Sequence, residues 1–178
     1  MRHLAPLVFA TLVVVTSASA WNEPDTFRGV PWGASEEAAK ERIPATCMSN
    51  PNDMFGERTC SSSFTVGDVP TKALLWFRSG GFVGVTLRFD PKRFYTIEAA
   101  FKERYGPPTS TKEDPGKTRG GLEFVNVEHE WQGSKVYISL KKYAGTISES
   151  RAVIQTAAER EEQMKNIRQR GKKGAGDL

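Results

Sequence analysis

Apolar and polar positions alternate along several short stretches of the chain, and alternation at a period of two predicts β-strands. Val83, Val85, Leu87 and Phe89 share one side of segment 82–89, and Val136, Ile138 and Leu140 share one side of segment 135–143. Segments 63–67, 73–78, 122–131 and 150–156 read as strands too. Ser79-Gly80-Gly81, between 73–78 and 82–89, is a hairpin connection. Helix signals stand in two places within this β-rich stretch. Segment 35–42 opens on Ser35, a good N-cap, with Glu36 and Glu37 at the positive end of the helix dipole, and Pro44 stops it. Segment 96–105 lines up Ile97, Ala100, Phe101 and Arg104 on one side and ends at Gly106-Pro107-Pro108.

These elements fall into two similar runs. Residues 27–90 read as a helix, a cysteine-containing loop and three strands; residues 91–157 read as a helix, a polar loop over 109–121 and three strands. The predicted fold is therefore α+β: two α-β-β-β halves whose helices pack on one face of an antiparallel sheet. Glu37-Ala38-Ala39-Lys40-Glu41-Arg42 also resembles Glu98-Ala99-Ala100-Phe101-Lys102-Glu103-Arg104 with one residue inserted. Past the domain, 21–157, segment 158–178 turns charged. It predicts a helix with Met164 and Ile167 almost its only apolar groups, then a disordered basic tail from Gly171.

The N-terminus changes the picture of where this fold works. Arg2 and His3 precede an apolar run from Leu4 to Val15, and Ser17-Ala18-Ser19-Ala20 offers the small residues that signal peptidase accepts. Residues 1–20 are expected to be a secretory signal peptide cleaved after Ala20, leaving a soluble periplasmic or secreted protein that begins at Trp21. Charge then divides unevenly. Residues 21–163 hold 19 basic against 20 acidic side chains, so the net charge of +4 comes from the tail. A nucleic-acid-binding domain spreads its positive charge over a folded face, and none is expected here. Cys47 and Cys60, thirteen positions apart around Pro51, Asn52, Asp53 and Gly56, are expected to pair in an oxidising compartment. A redox or metal site is the alternative for them, although redox pairs favour C-x-x-C and metal sites more ligands.

Candidate chemistry is thin. Export removes His3 and leaves His129, which alternation places beside Val125, Val127 and Trp131, with Glu128 and Glu130 on the other face. That placement argues for a core or edge histidine rather than a Glu-His-Glu cluster. Ser79-Gly80-Gly81 and Arg119-Gly120-Gly121 read as turns, without phosphate-binding spacing. No catalytic residue, cofactor or metal is expected. Trp76 shares a strand face with Leu74 while Leu75 and Phe77 face the other way, so either the sheet is covered on both sides or an aromatic patch is exposed. Trp76, Trp131 and His129 are accordingly the candidate partner surface. Lys165, Arg168, Arg170, Lys172 and Lys173 either keep a loose end soluble or make a peripheral contact with an anionic surface such as lipid headgroups.

Segment Phe27-Arg28-Gly29-Val30-Pro31-Trp32-Gly33, the capped helix, the strands and the second helix ending in Arg104-Tyr105-Gly106-Pro107-Pro108 together resemble a group of exported bacterial proteins. In architecture, over roughly residues 27–157, the chain is also similar to the outer-membrane assembly lipoproteins of the SmpA/BamE type and to the β-lactamase-inhibitor-protein-like fold. Trp21 stands where those lipoproteins carry the anchoring cysteine. The resemblance implies a non-enzymatic protein-binding or scaffolding module of the cell envelope whose partner is another envelope protein. A secreted enzyme inhibitor and a small carboxylate-dependent hydrolase are the alternative expectations.

Overall fold

A computed structural model describes residues 21–49 and 55–175; the expected signal peptide, 1–20, lies outside the described residues, as do 50–54 and 176–178. The elements in chain order are β1 (Thr26–Phe27), β2 (Val30–Pro31), α1 (Glu36–Arg42), β3 (Thr46–Ser49), β4 (Arg58–Val66), β5 (Val69–Arg78) and β6 (Gly81–Phe89), followed by α2 (Phe94–Tyr105), β7 (Ser110–Lys117), β8 (Glu123–Gln132), β9 (Val136–Lys141), β10 (Ser150–Thr156) and α3 (Ala157–Ala175). The fold is α+β and built mostly of antiparallel sheet. β1 and β2 form a small hairpin, and the other eight strands form one sheet in the order β3-β4-β5-β6-β10-β9-β8-β7. β6 and β10 meet at its centre, with Leu87 opposite Ala152 and Val85 opposite Ile154.

The helices begin and end where local chemistry dictates. Ser35 caps α1, its Oγ accepting from the Ala38 amide at 3.3 Å. α2 starts two residues earlier than its apolar spacing predicts, because Asp90 caps a 3-10 turn over Pro91–Arg93 that runs straight into it. Both helices bury apolar faces in one cluster: Ala39 from α1 and Phe94, Ile97, Phe101 and Tyr105 from α2 join Leu75, Val85, Leu87, Trp131, Ile138, Leu140, Ala152 and Ile154. The alternating partners of these strand residues face the opposite way. The first described residues strap this assembly. Glu23 Oε1 accepts from the amides of Lys135 and Val136, at 2.5 and 2.6 Å, while the Asn22 amide donates to Tyr105 O at 2.6 Å.

Segment 109–121, read from sequence as a polar loop, contains strand β7, so four strands rather than three follow α2. β7 is an edge strand, and its residues Ser-Thr-Lys-Glu-Asp-Pro-Gly-Lys need no apolar alternation because little packs against them. Pro115 is tolerated there because one side of the strand has no partner. Four strands also follow α1, because Thr46–Ser49 forms the opposite edge, β3. The third departure is at the C-terminus: α3 continues through Gly171 to Ala175 instead of giving way to a tail there. Single glycines cost a helix only about 1 kcal/mol, and Arg170, Lys172 and their neighbours are good helix formers.

Candidate functional site

Cys47 and Cys60 face each other across β3 and β4 and form a disulfide, S–S 1.97 Å and Cα–Cα 3.9 Å. The bond staples a four-residue edge strand to the sheet. Glu36 lies within 4.8 Å of both sulfurs, but sulfurs joined to each other offer no thiolate to a metal. The pair is a structural element.

The candidate partner surface of Trp76, Trp131 and His129 does not assemble. Trp76 and Trp131 are fully buried and His129 is 4% exposed. His129 and Trp131 belong to the helix-packed face, Trp76 to the opposite one. Trp131 Nε1 donates to Gly106 O at 2.9 Å, and its ring packs against Phe101. Trp76 lies over Gly84, where a Cβ would come within 2.7 Å of its ring, and Phe55 covers it with a centroid distance of 5.0 Å. Alternation places each tryptophan on a face correctly, but burial is decided by what folds over that face.

His129 sits in a polar chain that crosses from sheet to helix. Its Nδ1 is 2.8 Å from Thr111 Oγ1, and its Nε2 is 2.8 Å from Glu98 Oε1, off the line of the ring N–H, so the second contact is electrostatic rather than a true hydrogen bond. Lys102 Nζ reaches the same Glu98 oxygen at 2.5 Å. Burial holds the imidazole below its ordinary value near 6.5, outweighing the upward pull of Glu98. A hydroxyl, an imidazole and a carboxylate in line have the order of a nucleophilic triad. Here the imidazole has almost no exposed surface for a substrate, and the carboxylate is committed to Lys102. The chain ties α2 to the edge strand β7.

The remaining candidate is the sheet face that α1 and α2 leave uncovered, and its side chains follow from the register. Ser63, Lys72, Arg88, Arg151, Lys141, Glu128 and Lys112 are successive cross-strand partners from β4 to β7. Like charges directly opposite one another weaken a sheet, so a row of this kind is a cost to the fold. Three carboxylates offset part of it. Glu149 is 3.3 Å from Arg151 and 3.8 Å from Arg88, Glu128 is 2.9 Å from Lys141, and Asp114 is 2.9 Å from Lys112. Five cations against three carboxylates leave a positive excess, and Lys72 has no acidic partner among the described residues. An adjacent row is small or apolar in its centre, with Ser61, Leu74, Thr86, Val153 and Ser139 in register. At the Lys72 end the surface dips into an open depression of about 720 Å³ lined also by Arg88, Asp90 and Glu149.

α3 closes one end of this face. Thr156 Oγ1 accepts from the Glu159 amide at 3.2 Å, as the cap of a capping box, but the Glu159 carboxylate turns to Arg78 on β5, at 2.6 and 3.1 Å. Glu159 is fully buried. Arg160 lies 3.2 Å above the Tyr137 ring, and the Tyr137 hydroxyl donates to Glu130. Burial, then that carboxylate, push the phenol up. The far part of α3 carries exposed Arg168, Arg170 and Lys172, with Lys165 3.5 Å from Glu162; the Lys173 side chain lies outside the described residues. Among the described residues no helix is long and apolar enough to cross a membrane.

The basic row escapes sequence inspection because Lys72, Arg88, Lys141 and Arg151 are far apart in the chain and meet only through the pairing. No protein family, curated protein or solved structure matches this chain.

Proposed function

We propose that this chain is an exported, non-enzymatic protein-binding module of the cell envelope, engaging an envelope protein through the sheet face opposite α1 and α2. The observation that carries the reading is the basic row from Lys72 to Lys112. Within it Lys72, Arg88, Arg151 and Lys141 are successive cross-strand neighbours, and these like charges repel one another in the free protein. An acidic partner surface relieves that repulsion, and the adjoining small residues permit close approach. The finer architectural reading is two repeats, 27–90 and 91–157. It is supported by four strands following each helix and by β6 and β10, the last of each run, pairing at the centre.

A secreted enzyme inhibitor working through the same face is the second reading, and it rests on the resemblance to inhibitor-type architecture. A carboxylate-dependent hydrolase is less well supported. Glu128 and Glu130 share a strand face, but Lys141 and Tyr137 engage them. Signal cleavage after Ala20 and a periplasmic or extracellular location are part of the proposal, as is a peripheral anionic contact through Lys165, Arg168, Arg170, Lys172 and Lys173.

The test is photo-crosslinking in the native envelope from Val153 or Ser139 on the sheet face, with Tyr95 on α2 as control. Expected is one protein adduct from the sheet positions, absent from Tyr95 and lost in the Lys72→Glu/Arg88→Glu variant. Equal adducts from Tyr95, or no protein adduct from the sheet, refute the reading.

A further inference from the structure

A second site lies on the other side of the sheet. Between α2, the β1–β2 hairpin and the central strands is a cavity of about 200 Å³, walled by Phe27, Phe64, Val66, Leu87, Phe101 and Ile154. Its volume falls below the usual 300–1,000 Å³ of small-molecule sites, so it suits one short apolar segment rather than a bulky ligand. The walls are apolar, but two arginines stand at the edge. Arg28 occupies the hairpin turn with φ +50° and holds its guanidinium 4.2 Å over the Phe64 ring. Arg104 comes from the last turn of α2, its guanidinium 5.8 Å from the Tyr105 ring centroid. Neither makes an ion pair with a carboxylate among the described residues, although most other cations near the sheet do.

An apolar pocket with two unneutralised guanidinium groups at its edge has the chemistry of an amphipathic anion. We infer that this cavity binds a medium-chain aliphatic carboxylate, its tail against Leu87, Phe101 and Ile154 and its head between Arg28 and Arg104. Guanidinium matches a carboxylate through paired, charge-assisted hydrogen bonds. A cationic amphiphile meets two like charges at the entrance. The site lies on the face opposite the proposed partner surface and stands or falls independently of it.

Isothermal titration of the mature chain with hexanoate, octanoate, decanoate and decylamine, each below its micelle concentration, tests the inference. Affinity is expected to rise about fourfold per methylene until the cavity fills, and decylamine is expected not to bind. Arg28→Asn/Arg104→Gln should weaken decanoate about tenfold or more while leaving the dependence on chain length. Asn suits the left-handed turn position. If the double variant fails to fold, Arg104→Gln alone carries the test. Equal binding of decylamine, affinity independent of chain length, or indifference to the arginines overturns the site. So does binding of a short peptide ending in Leu without binding of decanoate.

Discussion

The Arg78–Glu159 pair holds α3 to the sheet, and its two members differ in a way that makes a sharp prediction. Glu159 is fully buried, whereas Arg78 keeps 18% of its side-chain surface. Removing Arg78 leaves a buried carboxylate without its cation, with Gln163 Nε2 still donating to it at 3.1 Å. Removing Glu159 leaves a guanidinium that reaches solvent and has further contacts. Loss of one partner of a buried pair costs about 3–5 kcal/mol when the other stays buried, and loss of charged hydrogen bonds alone about 1.5–3 kcal/mol. Arg78→Ala should therefore destabilise by about 4 kcal/mol and Glu159→Ala by about 2 kcal/mol. Replacing both by Met should fall nearer the wild type than Arg78→Ala, because no charge is then left unpaired. Urea denaturation of the oxidised chain 21–178 at pH 7 measures all three, and for a domain of this size Arg78→Ala should lower Tm by roughly 10 °C. Equal losses below about 1 kcal/mol for both single variants would show that the pair behaves as a surface contact, and the account of α3 docking would be wrong.

Other expectations come from the same contacts. Reducing the Cys47–Cys60 disulfide, or replacing both cysteines by Ser, should cost about 3 kcal/mol in the chain-entropy picture; denaturation with and without reductant checks it. Gly84→Ala should cost about 1–3 kcal/mol, because the new Cβ meets Trp76 at 2.7 Å and Gln155 at 3.0 Å, and an unchanged denaturation midpoint would argue against the flat packing of that ring. His129 is held below its ordinary value, so the unfolded chain binds the proton more readily. Its contribution is present above about pH 6.5 and is lost as pH falls through the depressed folded value. In His129→Gln that part of the pH dependence of stability should disappear; an identical slope between pH 7 and 5 in both proteins would contradict it.

Much of the fold is legible in the sequence, for reasons that belong to individual residues. Ser35 and the glutamates after it start α1, Gly106 ends α2, and Val83 to Phe89 alternate because β6 is packed on one side by α2. β10 has the span its sequence predicts. β7 is hidden because an edge strand has no buried face to write apolar residues into the sequence, and β3 because it is only four residues long. Trp76 shows the same limit from the other side. Its alternation with Leu74 assigns a face, while its burial depends on Phe55 and Gly84, which no local pattern connects to it.

The sequence by itself determined the α+β class, the helices, most of the strands and the cysteine pair, because periodicity, capping and loop closure act between near neighbours. Only the tertiary structure decided the order of the sheet, the burial of Trp76, Trp131 and His129, and the two surfaces on which function is proposed. Lys72, Arg88, Arg151 and Lys141 become one basic row only when β6 pairs with both β5 and β10 and β10 with β9. Arg28 and Arg104 frame one cavity only when the first hairpin folds over the last turn of α2. Charge and apolar surface make a site through distance in space, and for residues so far apart in the chain that distance is set by strand register.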